Sequence, residues 1–256
     1  MRVAMIVLMA VLGGCSTVPT NYRPAMPLAS GEFSHQPFDQ VLQAHVRDGV
    51  VDYPAILDDR RFAQYLDHLD RVDPNSLPKD DRLALWINAY NAYAIKGILD
   101  GYSPGTWAGR YRYFIGRTYR AGGASINLYD LERDILIAQF HEPRMHFAIV
   151  CASASCPKLQ PWAYDRTPLE QQLEQVTRGF INDPSRNRFD RDNRVAYLSK
   201  IFDWFMDDFS AHAGSVLRFV ARYIADEELA HDLTGNTYRI EYLDYDWSLN
   251  GPVPQR

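Results

Sequence analysis

Cysteine is scarce in this chain of 256 residues. Only Cys15, Cys151 and Cys156 occur, too few for a disulfide-stapled scaffold. Basic clusters are also missing: the net charge is −5 and no run of Lys or Arg exceeds a pair, which argues against nucleic acid or other polyanionic partners. The seven histidines are scattered without metal-ligand spacing. His141 and His146 stand five apart across Pro143 and do not make a zinc pair, so neither a metal nor a cofactor is expected. Beyond Leu12 no apolar run approaches the roughly 20 residues that a membrane-spanning helix needs. No internal repeat or low-complexity block is found, so no repeat architecture is expected. What the chain does have is aromatic residues, with sixteen Tyr, twelve Phe and five Trp, the composition of a globular domain with a real core.

The N-terminus is the one lipid-directed segment. Met1-Arg2 precedes an apolar run from Val3 to Leu12 and the small-residue site Gly13-Gly14-Cys15, the order of a secretory signal. Leu12 to Cys15 resembles the lipobox of bacterial lipoproteins. That resemblance implies removal of residues 1–14 and acylation of Cys15, where several acyl chains make a stable membrane anchor. Ser16, rather than Asp, implies the outer membrane, with the domain facing the periplasm. Residues 15–34, which carry Pro19, Pro24 and Pro27 among polar residues, read as an extended tether. Residues 35–251 read as one globular domain and 252–256 as a tail. With Cys15 assigned to lipid, Cys151 and Cys156 form an even pair in an oxidising compartment, a disulfide by default. The loop is so short that the entropic gain is only roughly 2 kcal/mol.

Pattern along the domain predicts α+β, mostly helices around a small sheet. Pro37 to Val46 reads as a short helix with Phe38, Val41, Leu42 and His45 on one side, followed by a β-like Val50 to Tyr53. A second helix is expected from Pro54 to about Leu69. The spacing of Leu83, Trp86, Ile87, Tyr90, Ala94 and Ile98 predicts a helix over 79–99, stopped by Gly101; Leu85, Ala89 and Ala92 widen its apolar surface into that of a buried central helix. Tyr111 to Asn127 suggests a hairpin around Gly122-Gly123. A helix is expected over 129–140, an interior strand over 145–150, helices over 168–181, 200–210 and 215–225, and a closing strand over 238–245.

Several residues could carry chemistry. Asn88 and Asn91 share a face of the central helix, and once buried their amides need partners; pinning neighbouring loops through backbone hydrogen bonds is the favoured reading. Asp52 and Tyr53 are candidates for cleft support, or simply a turn residue and a core aromatic. Glu132, early in its helix, is explained by the helix dipole or by a role orienting a histidine. His146 reads as a core histidine or as a base. Cys151 and Cys156 bracket Ala-Ser-Ala-Ser. A thiol acyl-transfer site needs a thiolate, an imidazole and an orienting group, and Cys151, His146 and Glu132 supply those types. In a regular strand, however, His146 and Cys151 would point to opposite faces, so the site requires the chain to bend before Cys151.

Taken in order, Val51-Asp52-Tyr53, Leu85-Trp86-Ile87-Asn88-Ala89-Tyr90-Asn91-Ala92, Leu131-Glu132, His146 to Ser153 with Ser155-Cys156-Pro157, Leu198 to Phe205 with Asp208-Phe209, and Tyr245 to Asn250 resemble the bacterial branch of the family called domain of unknown function 547. The resemblance spans about His35 to Gly251. The helix after Glu132 departs from the family pattern, with Arg133 and then Leu136-Ile137 where relatives often carry a His or Asn and later Leu-Arg. A central Trp-Ile-Asn helix followed by a His-bearing strand is also similar to the papain and transglutaminase-like arrangement, in which Asn88 would stand near the place of the nucleophile. Two functions follow as expectations. One is a thiol hydrolase or acyltransferase acting on peptide or amide bonds, with Cys151 as nucleophile, His146 as base and Glu132 as orienter. The other is a non-catalytic envelope module binding a peptide, a glycan or a partner protein, with Cys151–Cys156 as a structural disulfide.

Overall fold

A computed structural model describes residues 22–29, 31–235 and 237–253. The segment read as an export signal, Cys15 and the start of the expected tether lie outside the described residues. Helices α1 (Gln36–His45), α2 (Tyr53–Leu57) and α3 (Arg60–Arg71) precede α4 (Lys79–Leu99), whose bounds are those that the apolar spacing predicts. Every α4 residue from Leu83 to Ile95 is buried, so the helix runs through the core rather than along its edge. The single helix expected from Pro54 to Leu69 is two, because the Asp59 side chain accepts from the Arg61 amide and caps a new start at α3.

The sheets are small, and the fold is α+β. Strands β1 (Val46–Arg47) and β2 (Val50–Val51) pair antiparallel, with Val46 opposite Val51. Helix α5 (Trp107–Tyr111) runs into a wide-turn segment, Arg112–Gly116, that sequence pattern did not suggest. The hairpin expected around Gly122-Gly123 is β3 (Tyr119–Ala121) and β4 (Ala124–Ile126), with Tyr119 opposite Ile126. The next helix starts at α6 (Leu128–Asp130), where Asn127 Oδ1 accepts from the Asp130 amide, and continues as a π-helix from Leu131 to Phe140. Helix α7 (Leu169–Ile181) leads to a three-stranded sheet ordered β5 (Arg188–Asp190), β6 (Val195–Leu198), β7 (Arg239–Tyr242), antiparallel then parallel. Helices α8 (Ile201–Trp204), α9 (Met206–Ala213), α10 (Val216–Ala221) and α11 (Glu227–Thr234) lie between β6 and β7. The expected helix over 200–210 breaks at Phe205, whose backbone leaves the helical region at φ −120° and ψ 28°.

One expectation is corrected. Residues 145–150 are not an interior strand: Pro143–Phe147 is a 3-10 turn, started by Pro143 and capped by Glu142, whose side chain accepts from the Arg144 amide. The segment is apolar because Met145 and Phe147 are buried, with Phe147 among Phe180, Phe202, Phe209 and Phe219, and among the described residues no strand pairs with it. A side chain supplies the edge that a strand would have supplied. Asn91 donates from Nδ2 to the Ala148 carbonyl (3.0 Å) and accepts at Oδ1 from the Val150 amide (2.8 Å). Asn88 does the same for Tyr164, donating to its carbonyl (2.7 Å) and accepting from its amide (2.9 Å).

The tether expected over 15–34 is packed on the body from Tyr22 onward. The Tyr22 ring lies 5.5 Å from that of Trp86, the Leu28 amide donates to the Arg71 carbonyl, and Arg71 Nε donates to the Met26 carbonyl. The hairpin turn makes room for this segment. Gly122 and Gly123 both have positive φ, and a Cβ on Gly123 would stand 2.5 Å from the Arg23 carbonyl oxygen. Burial of the Tyr22 ring explains why a proline-bearing segment without apolar periodicity is ordered.

Replacing Asn91 by Ala removes both of its hydrogen bonds and strands a buried amide and carbonyl. The expected loss is about 2–4 kcal/mol of unfolding free energy, read from urea denaturation. A variant within about 0.5 kcal/mol of wild type would contradict the clamp.

Candidate functional site

The C-terminal segment builds one wall of the site. Residues 246–250 run antiparallel along the cysteine loop, with the Ala154 amide donating to the Ser248 carbonyl, Ser155 to Asp246 and Asn250 to Ala152. Tyr53 and Asn250 hold this segment in place: the Tyr53 hydroxyl donates to Asn250 Oδ1 at 2.6 Å, and the Val51 amide donates to the Asn250 carbonyl. Tyr245 is thereby set over the sulfurs. Its hydroxyl donates to Cys156 Sγ (3.2 Å), lies 3.3 Å from Cys151 Sγ and accepts from Ser153 Oγ (3.0 Å). Cys151 and Cys156 themselves stand at disulfide distance.

Between this wall, the helix carrying Glu132 and the 3-10 turn carrying His146 lies a cavity of about 320 Å³. Glu132, His146, Cys151 and Cys156 all line it. The objection from strand parity disappears because the backbone between His146 and Cys151 is not a strand. Asn91 holds the Val150 amide immediately before Cys151, so it shapes the cavity from behind. Asn88, Asn91, Asp52 and Tyr53 do not line the cavity. Asp52 is exposed and caps α2 by accepting from the Ala55 amide, and Tyr53 acts through Asn250.

The histidine is dressed differently from the sequence expectation. The carboxylate that meets His146 Nε2 is Asp208 of α9, at 2.8 Å, and not Glu132. The break at Phe205 turns α9 so that Asp208 reaches the imidazole, and the Phe205 ring stacks on it at 3.9 Å. Burial lowers the His146 pKa, opposed by Asp208, so the ring is neutral near pH 7; its buried Nδ1 has no partner. Glu132 accepts one long hydrogen bond, 3.4 Å from the Tyr90 hydroxyl. Burial pushes its pKa up to about 7, with nearby Arg133 pulling the other way.

The remaining walls are aromatic, and sequence reasoning missed them. Trp204, Tyr245 and Trp247 form a cluster with ring centroids 4.6–5.7 Å apart, while Trp107 and Tyr111 are exposed at the rim. Arg110 lies over the Trp247 ring at 4.7 Å and Arg133 over the Phe205 ring at 5.0 Å. Trp204, Asp208, Tyr245 and Trp247 all stand in motifs quoted above for their resemblance. Nothing local in the sequence linked them to His146, which is 62 residues from Asp208. Among the described residues, no group of His, Cys, Asp or Glu is placed to hold a metal ion, and no helix is long and apolar enough to cross a membrane.

An α+β domain with an aromatic cavity closed by a cysteine pair is the class that fold and site define. Residues 74–181 match a family described as "Protein of unknown function, DUF547". The match takes in α4, Glu132, His146 and both cysteines of the pair. It stops short of Asp208, Tyr245 and Trp247. No curated protein and no solved structure matches the chain.

Glu132 makes a signed pH prediction. Its folded pKa, about 7, lies above its ordinary value of 4.5, so between those values the folded state holds a proton that the unfolded state has released. This carboxyl therefore favours folding below about pH 4.5, and that contribution is lost as pH rises through 7. His146, with its lowered pKa, slopes the other way below its ordinary 6.5. Subtraction isolates the carboxyl: stability of wild type minus that of Glu132→Gln, from urea denaturation at several pH values, is expected to fall from pH 5 to 7 and then level. A flat difference would mean that Glu132 is not a buried acid.

Proposed function

We propose that this protein is a binding module, lipid-anchored through Cys15 at the outer membrane and facing the periplasm, whose aromatic cavity holds a ring-bearing ligand, a peptide or a glycan. The observation that carries this reading is the state of the cysteines. The sulfur that would attack a substrate stands at disulfide distance from its neighbour, while Trp204, Tyr245 and Trp247 offer ring faces beside it. Aromatic side chains bind ring faces through dispersion and their quadrupole, and a few polar groups then set orientation. The export signal supports the oxidising compartment in which such a pair persists.

A second reading rests on one observation: Cys151, His146 and Glu132 do share a cavity. With the pair reduced, Cys151 would be a thiol facing a neutral imidazole already held by Asp208, the residue types of a thiol hydrolase or acyltransferase of the papain or transglutaminase-like kind.

Alkylation separates the two. In the protein purified from the periplasm without reductant, iodoacetamide is expected to leave Cys151 and Cys156 unlabelled, and peptide mapping is expected to recover them as a linked pair. A free Cys151 that alkylates unusually fast at neutral pH would overturn the binding reading in favour of the thiol enzyme. Trp204 is half-exposed, and Trp204→Ala is expected to keep the fold while weakening binding of a neutral ring probe, N-acetyl-tyrosinamide, roughly three- to tenfold in calorimetry.

A further inference from the structure

The polar groups of the cavity are sorted by sign, and the sorting describes the ligand. Its enclosed groups with hydrogen-bonding capacity left over are acceptors. Glu132 has a single long hydrogen bond, and Nδ1 of His146 is buried without a partner, while Nε2 is already taken by Asp208. With the imidazole neutral and its proton on Nε2 toward the carboxylate, Nδ1 presents a lone pair. A buried acceptor without a donor is costly, so this end of the cavity is incomplete until something donates to it.

The more open groups are donors. Arg133 is exposed and Arg110 half-buried; both lie over cavity rings, Phe205 and Trp247, and Arg110 also donates one long hydrogen bond to the Pro104 carbonyl. Among the described residues neither guanidinium has a carboxylate within ion-pair distance. A guanidinium held on a ring face is oriented before any ligand arrives, and its planar fork matches a carboxylate. The cavity, about 320 Å³, sits at the small end of the range for ligand pockets, roughly 300–1,000 Å³. It has room for one ring with two short polar arms.

We propose that the cavity binds a zwitterion of amino-acid or dipeptide size with an aromatic side chain, its ammonium donating to Glu132 and to Nδ1 of His146, its carboxylate on Arg133 and Arg110, and its ring against Trp204, Tyr245 and Trp247. This rests on the binding reading above and narrows it to one ligand chemistry. A purely anionic ligand would leave the two enclosed acceptors unmet. A purely cationic one would place its charge beside two guanidiniums without anything to engage them.

The test is calorimetry at pH 7.5 on the full chain with its disulfide intact, with four probes that share one ring. Tyrosine carries both charges, tyramine lacks the carboxylate, 4-hydroxyphenylpropionate lacks the ammonium, and N-acetyl-tyrosinamide lacks both. Tyrosine is expected to bind tightest, with loss of either charge costing at least about tenfold, the usual worth of a charge-assisted hydrogen bond. Arg133→Gln is expected to weaken tyrosine and the propionate and to lower the ratio of tyrosine to tyramine affinity. Glu132→Gln should weaken tyrosine and tyramine and spare the propionate. If Glu132→Gln fails to fold, Arg133→Gln on its exposed side chain still decides, through the ratio of tyrosine to tyramine affinity. Equal binding of all four probes would overturn the zwitterion and leave the ring-binding cavity standing. Binding of none of them, the neutral probe included, would remove the ring-binding reading and the zwitterion with it. Tyramine or the propionate binding as tightly as tyrosine would overturn the inference, because one of the two charged contacts would then be absent.

Discussion

Two carboxamides buried in an apolar helix cannot be left without partners, and the rest of the structure is arranged around meeting that need. A helix backbone satisfies itself, so Asn88 and Asn91 have their full donor and acceptor capacity to spend elsewhere. Each places it on both polar groups of a facing stretch of chain, Asn91 on Ala148 and Val150, Asn88 on Tyr164. Irregular backbone can therefore be buried against α4 without a neighbouring strand. That is what allows a turn, rather than a sheet, to carry His146 into the core five residues before Cys151, with both lining the same cavity.

The second constraint comes from the far end of the chain. The cysteine loop has no helix or sheet of its own, and it is held by residues 246–250, which are in turn held by β2 and by the Tyr53 hydroxyl. Through this chain of contacts Tyr53, distant from the cavity, sets where Tyr245 stands over the sulfurs. A short covalent bridge stiffens the loop locally, but position depends on these longer-range hydrogen bonds.

Electrostatics inside the cavity follow from burial more than from pairing. Glu132 is protonated well above the ordinary carboxyl range, with a pKa of about 7, because it is enclosed with one long hydrogen bond from the Tyr90 hydroxyl, while Arg133 limits the rise. His146 is kept uncharged by the same enclosure, although Asp208 would favour its proton. Aromatic walls provide the low-dielectric surroundings that drive both shifts, and two of the rings carry the guanidiniums of Arg110 and Arg133 at the opening.

Much of the fold was legible in the sequence because it is local. The 3.6-residue spacing on α4, the hairpin glycines and the mostly helical character depend on near neighbours along the chain, and each is present where pattern places it. The need of Asn88 and Asn91 for backbone partners was legible too, from their burial alone. Residues 145–150 misled because an apolar run of strand length is equally compatible with any buried extended or turning segment, and only the absence of a neighbouring strand distinguishes them. Asp208 as the partner of His146, the aromatic cluster, and Arg110 and Arg133 beside the same cavity were decided by tertiary structure. The sequence determined by itself which residue types exist and which segments must be buried. Which carboxylate meets which imidazole depends on a helix break at Phe205 and on contacts across 62 residues, and no periodicity along the chain encodes such a distance.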